Sequence, residues 1–237
     1  MFDYLISLDT EILLWLNSHH NSYWDVVMKL ATGKLIWAPM YVALLVAFCR
    51  AYGWKSALTA VVLTIMAVIA ADQITASIIR PYFGRLRPAN LDNPISEFVH
   101  IVNGYRSGGY SFPSCHAANT FAVFTFTSLV FNRWKYTLFI LSWALLNCYS
   151  RIYLGVHYPG DLIVGSVIGM MCGAMMFLLG SVFVRVFHIE TLGNKDKLGQ
   201  SFVFGKIISY RPSDIVIIVG IMVMVYIVIY GVIETCR

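Results

Sequence analysis

Apolar residues gather in six long runs separated by short polar segments: roughly Leu35–Cys49, Ala57–Ile79, Ala117–Phe131, Tyr136–Cys148, Leu162–Phe187 and Asp214–Ile233. A helix needs about 20 apolar residues to cross a bilayer. These runs approach or exceed that length, and the fourth is expected to continue through Ser150. The opening MFDYLISLDTEILLWLNSHH is patterned differently. Leu5, Leu8, Ile12 and Leu16 recur at helical spacing, while Asp3, Asp9 and Glu11 interrupt the apolar character. This pattern predicts an amphipathic helix lying in the membrane interface. It lacks a basic leading segment, so a cleaved signal peptide is not expected.

Composition agrees. Of 237 residues 59% are hydrophobic and only 12% charged, about half the charged share of an ordinary soluble domain. The expected fold class is all-α: a polytopic membrane bundle of about six transmembrane helices with the interfacial helix at its N-terminus. Loop charge orients it. Arg50 and Lys55, then Arg133 and Lys135, then Lys195, Lys197, Lys206 and Arg211 fall in alternate loops, which the positive-inside rule places in the cytoplasm. The N-terminal helix, the 80–116 loop, the 150–161 loop and the C-terminus then lie outside. Arg80, Arg85, Arg87, Arg106 and Arg151 also fall on that outer side, against the charge bias, which points to a ligand.

Three polar clusters converge on this outer face: RPYFGRLRP from Arg80, FPSCHAANTF from Phe112, and SRIYLGVHYPGD from Ser150 to Asp161. Each suits a phosphate. Arginine offers a planar fork of donors matched to phosphate oxygens and stays charged. Arg80 and Arg87 would share one helix face if the helix continues past Pro81. Ser114 is placed to cap the third span, leaving the first N–H groups of that helix, on Cys115 and His116, as an anion site. His157 and Asp161 stand four apart across Pro-Gly, where a carboxylate on one ring nitrogen fixes the tautomer and makes the other a better nucleophile or base.

Arg80-x6-Arg87-Pro88, Pro113-Ser114-x-His116 and Ser150-Arg151-x5-His157-x3-Asp161 resemble the three-part signature of the type 2 phosphatidic acid phosphatase (PAP2) family, whose fold and site are shared with vanadium haloperoxidases. The resemblance covers about residues 1–187, leaving 188–212 as a cytoplasmic linker and 213–237 as an additional C-terminal transmembrane helix. It implies a phosphatase without metal or cofactor, with catalytic His157, His116 and Asp161. His157 is the nucleophile that becomes a phosphohistidine, Asp161 orients it, and His116 protonates the leaving oxygen and then activates water. Arg80, Arg87, Ser114, Cys115 and Arg151 would bind phosphate. Two positions depart from the family: Arg80 replaces the usual lysine, and Cys115 the usual glycine.

The implied partner is a phosphorylated lipid in the bilayer, not nucleic acid. The implied setting is the bacterial inner membrane, with the site on the periplasmic side. Lipid A phosphates, undecaprenyl diphosphate, phosphatidylglycerophosphate and phosphatidic acid all fit, with the Ala89–Phe112 loop selecting the head group. A lipid phosphotransferase, passing the phosphoryl group to a lipid acceptor, is the alternative. A transporter and a haloperoxidase rank lower. Cys115 is itself a rival nucleophile, without the following arginine such a loop would want. No spacing of the five cysteines fits a zinc site. Asp72 reads as structural at least as readily as functional. His19, His20, His100 and His188 read as structural. Gly165, Gly169 and Gly173 read as a helix-packing face.

Overall fold

A computed structural model describes residues 2–186, 199–203 and 206–237; the expectations for Phe187, His188, Lys195 and Lys197 lie outside them. Helix α1 (Phe2–Ser18) is followed by α2 (Ser22–Ala31), which Asn21 starts by accepting the Trp24 N–H at 2.9 Å. The expected first two spans form one assignment, α3 (Ala38–Gln73), folded back at Gly53. Its φ of 76° and ψ of 164° belong to a region open essentially to glycine alone, so the two arms are separate spans. The second arm runs through a π-helical segment, Ile74–Ile79, into the short α4 (Arg80–Phe83). After the loop come α5 (Cys115–Phe131), α6 (Trp134–Tyr153) and α7 (Pro159–Val186). An antiparallel hairpin of β1 (Gly199–Val203) and β2 (Lys206–Tyr210) precedes α8 (Pro212–Thr235). Among the described residues this hairpin is the only β-structure.

Leu35–Phe83, Pro159–Val182 and Pro212–Thr235 are long and apolar enough to cross a membrane. With the first folded at Gly53, and with α5 and α6 packed among them, the bundle contains the six expected apolar segments. Ile65, Ile69, Met171, Leu178, Ile218 and Met222 point outward; in a bilayer these side chains meet lipid.

The α5–α7 contact is the tightest feature. A Cβ on Gly165, Gly169 or Gly173 would run into the carbonyl oxygens of Ser114, Ala118 and Ala122 respectively. Small residues spaced four apart let the two backbones touch, which brings the start of α7 against the start of α5. Helix α8 is built into the bundle: Gly220 lies under the Phe139 ring and Gly231 against Tyr23 and Val27.

Helix α1 keeps Leu5, Leu8 and Ile12 off the bundle, as an interfacial helix would, and turns another stripe inward. Leu13 and Asn17 are buried, while those three remain exposed. Asn17 decides this. Its Nδ2 donates to the carbonyls of Tyr153 (2.7 Å) and Ile152 (3.2 Å), and its Oδ1 accepts the His100 N–H at 2.7 Å. The N-terminal helix is thereby fastened to the end of α6, on the same face as the three polar clusters. At the opposite face Arg133 pairs with Asp214 at 3.4 Å.

Candidate active site

Local chain chemistry places each group. Ser114 caps α5, its Oγ accepting the Ala117 N–H at 3.5 Å, and its own N–H donates to the Asp161 carbonyl at 3.0 Å. That second bond ties the start of α5 to the start of α7. The first N–H groups of a helix have no intrahelical acceptor, so those of Cys115 and His116 stay available to an anion. Pro159 and Gly160 are the first residues of α7, not a separate turn between His157 and Asp161. Asp161 lies in that first turn and its Oδ2 reaches back to the Tyr158 N–H at 2.9 Å, a position where a carboxylate also suits the helix dipole.

His157 is 1% exposed and Asp161 fully buried. His157 Nδ1 lies 3.3 Å from Asp161 Oδ2, and its Nε2 lies 3.0 Å from Arg87 Nη1. A guanidinium can only donate. Nε2 is therefore the acceptor nitrogen, and Nδ1 carries the proton that bonds Asp161. Burial first, then the charges of Arg87, Arg151 and Arg80, hold His157 well below the ordinary histidine range. The ring is neutral, with its lone pair on Nε2.

The arginines converge, though not as the spacing predicts. Helix α4 ends at Gly84 in the left-handed region (φ 57°), so Arg80 and Arg87 do not share a helix face. Arg87 instead comes in from the loop and is fixed by the carbonyls of Gly108 and Val156, each at 3.0 Å. Burial, followed by the charges of Arg80 and Arg151, pushes it down to about 10, so it remains a cation at neutral pH. Arg80 Nη2 donates to the Pro113 carbonyl at 2.8 Å and to Cys115 Sγ at 3.0 Å. Arg151 is buried, with Nη1 on Thr32 Oγ1 at 2.8 Å. His116, second residue of α5, is within electrostatic reach of Arg151, His157 and Arg87. The structure thus brings all eight predicted residues to one region. It shows Ser114 Oγ committed to the helix cap and Cys115 Sγ committed to Arg80.

Three further residues escape the motif reading. Arg85 Nη1 bridges Asp161 Oδ1 (3.1 Å) and Asp9 Oδ2 (2.8 Å), and its guanidinium lies over the Tyr158 ring. Asp9 Oδ1 also accepts the Gly160 N–H at 2.7 Å. Ser111 Oγ donates to Asp161 Oδ2. The carboxylate behind His157 is therefore held by a guanidinium, a hydroxyl and a backbone N–H. Asp9 carried a signal: it stands at i+4 from Leu5 and three before Ile12, an acid within the apolar pattern of α1.

Residues 57–185 match the PAP2 superfamily. The chain is 38% identical over 99% of its length, and all of the relative's, to a lipid A 4'-phosphatase of Bacteroides thetaiotaomicron. A lipid A 4'-phosphatase of Porphyromonas gingivalis is 33% identical over 74% of each chain. Among solved structures, LpxE of Aquifex aeolicus superposes with a TM-score of 0.55 at 22% identity, covering 72% of this chain and 95% of its own. That last likeness concerns the fold.

Proposed function

We infer, since this chain belongs to the PAP2 superfamily, that it is an integral membrane lipid phosphatase working through a phosphohistidine at His157 on a phosphomonoester of the lipid A class. The observation that carries the chemistry is the bond from Arg87 to His157 Nε2. It leaves one lone pair, on one nitrogen, facing the arginine cluster. The substrate class is supported by end-to-end similarity to a lipid A 4'-phosphatase.

An incoming phosphate dianion takes over the Arg87 donor and frees Nε2. Burial, then the charge of Arg151, holds His116 down to about 2 in the empty site, so it takes up a proton from solvent only once the phosphate dianion lies beside it. Nε2 then attacks phosphorus while the bond to the leaving oxygen breaks, and His116 gives that oxygen the proton. Asp161, through Nδ1, stabilises the positive ring that results. His116, now neutral, takes a proton from water, which attacks phosphorus. The P–N bond breaks and inorganic phosphate leaves. Arg80, Arg87, Arg151 and the N–H groups of Cys115 and His116 face the charge on the phosphoryl oxygens, where preorganised donors act most strongly. These three guanidinium groups and two helix-end N–H groups are the reason to expect catalysis without a metal.

Residues 1–187 form the catalytic unit on this reading, 188–212 the cytoplasmic linker, and 213–237 an added helix bracing α2 and α3. Loop charge supports an outward-facing site at the inner membrane. A cysteine placed in the 89–112 loop should react with an impermeant reagent outside spheroplasts, and one in 188–212 should not; the reverse labelling pattern would turn the site to the cytoplasm. The chemical test uses purified protein in detergent with bis-phosphorylated lipid A. Phosphate should be released, and a quenched reaction should contain an acid-labile, base-stable phosphoprotein that His157→Ala lacks. Normal turnover by His157→Ala would remove the nucleophile. Phosphorylated lipid acceptor without free phosphate would make the protein a phosphotransferase.

A further inference from the structure

Asp72 and Asn119 line a cavity of about 330 Å³ beside His116, which belongs to the site already described. A larger groove, of about 650 Å³, lies between α1 and α7 at the residues that hold Asp161. Leu5, Leu8 and Ile12 of α1 form one wall and Ile163 of α7 the other, with Phe83 and Phe112 adding to the lining. Its charged residues are Asp9 and Arg85; none of His157, His116, Arg80, Arg87 or Arg151 lines it. Residues 3–8 of α1 are exposed throughout, and Asp9 is the first to be partly covered. The polar tie from this half of the helix to α7 is the Asp9 carboxylate. Its Oδ1 accepts the Gly160 N–H at 2.7 Å while its Oδ2 accepts from Arg85 at 2.8 Å. The fit is close, since a Cβ on Gly160 would stand 3.0 Å from Asp9 Oδ2.

The surroundings identify an occupant. Ile163, Val167 and Met171 are exposed and follow one another at four-residue steps, so they share one face of α7. The groove therefore continues into a surface that meets lipid. Apolar walls gain dispersion contacts from a hydrocarbon chain, whereas water needs several polar partners to stay. The chain does not belong to the lipid being hydrolysed. His157 turns Nδ1 to Asp161 and Nε2 to Arg87, so a phosphate at Nε2 stands across the imidazole from Asp9, Arg85 and Gly160.

We propose that this groove binds an acyl chain of a bilayer phospholipid, and that the bound chain supports α1 so that Asp9 holds Arg85 and Gly160 in place behind Asp161. Asp9 is then a positioning residue, and turnover responds to the lipid around the protein. The proposal rests on the phosphatase reading with His157 as nucleophile. When the chain leaves, α1 loses its support over Ile163 and carries Asp9 away. Arg85 is left with Asp161 alone, and the Gly160 N–H loses its acceptor. Asp161 is then aimed less well at Nδ1. The rate falls while substrate affinity holds, because no phosphate ligand has moved.

The test titrates purified protein in detergent with phosphatidylcholine, photoreactive in one acyl chain, and uses bis-phosphorylated lipid A as substrate. Phosphatidylcholine suits α1, which carries Asp3, Asp9 and Glu11 and no basic residue to attract an anionic surface. Adducts on Leu8 and Ile163 should saturate at lipid levels that leave Ile218 and Met222, exposed on α8, sparsely labelled. Equal labelling would mean boundary lipid only, and displacement of the label by lipid A would give the groove to the substrate; either result overturns the site. Coupling between two sites typically amounts to about 5- to 150-fold, so phosphatidylcholine should raise kcat at least about fivefold with KM steady. Asp9→Asn should keep the adducts and lose most of the stimulation, and Asp9→Glu should recover part of it. A kcat indifferent to phosphatidylcholine, or full stimulation in Asp9→Asn, overturns the coupling; the wild-type measurements decide if the variants do not fold. Labelling as expected with no phosphate released would instead refute the phosphatase reading and leave the lipid site standing.

Discussion

Arg85 lies in none of the motif positions, yet it should control the rate. Its Nη1 stands 3.1 Å from Asp161 Oδ1. At an effective dielectric constant near 20, unit charges at that separation attract by about 5 kcal/mol. The Arg85 side chain is 25% exposed, and solvent screening reduces the useful part to about 2–3 kcal/mol. In Arg85→Met the stem remains over Tyr158, but Asp161 and Asp9 lose the cation between them. If that energy is expressed in the placement of Asp161, kcat should drop about 30- to 140-fold, at tenfold per 1.4 kcal/mol. KM should hardly change, because Arg85 is spent on two carboxylates and does not face the phosphate. Steady-state phosphate release against substrate concentration reads both constants. Arg85→Lys, which restores charge without the fork, should recover to within about tenfold of wild type. A kcat for Arg85→Met within twofold of wild type would refute the positioning role. A raised KM with unchanged kcat would make Arg85 a phosphate ligand.

Cys115→Ser should retain most activity, since an oxygen there still accepts from Arg80, and Cys115→Gly should resist thiol reagents that inactivate the parent protein; a dead serine variant with an acid-stable phosphoprotein would transfer the nucleophile to Cys115. His157 also predicts a pH effect. Its folded-state pKa lies well below 6.5, so below about pH 6.5 the unfolded chain binds a proton that the folded one refuses. Stability is then full above that pH and declines as pH falls toward the folded value, by up to about 1.4 kcal/mol per unit. The thermal midpoint of wild type minus that of His157→Gln should therefore shrink between roughly pH 7 and pH 5; a difference that held constant would mean His157 is not buried neutral.

Much of this was legible because it is local. Apolar runs located the spans, Ser114 announced a helix start, and the four-residue step from His157 to Asp161 survives as the start of α7. The rest turns on where a helix stops and on distant chain. The Arg80–Arg87 spacing gives a shared face only if the helix runs on, and Gly84, in a left-handed conformation, ends it between them. The interfacial pattern of α1 holds no sign of its inward stripe, because Asn17 finds its backbone partners on α6 and the loop before α5. Asp72 gave no spacing to read. Its bond from Asn119 and its place on the cavity beside His116 exist only once α3 and α5 pack.

The Asp9–Arg85–Asp161 chain also has a history in time. Arg85 follows Asp9 by 76 residues, and Gly160 follows Asp9 by 151. At ~5–20 residues per second on the ribosome, Asp9 waits about 8–30 s for α7 to emerge. Of the two carboxylates that Arg85 bridges, Asp9 is the one already synthesised when Arg85 emerges, so this cation can be neutralised before Asp161 exists. When Asp161 arrives it joins an existing pair and does not have to recruit a counter-charge into the bundle. A nascent chain stopped before His157 would carry both members of that pair and neither His157 nor Asp161. His157 and Asp161 are then added together, within five residues of chain.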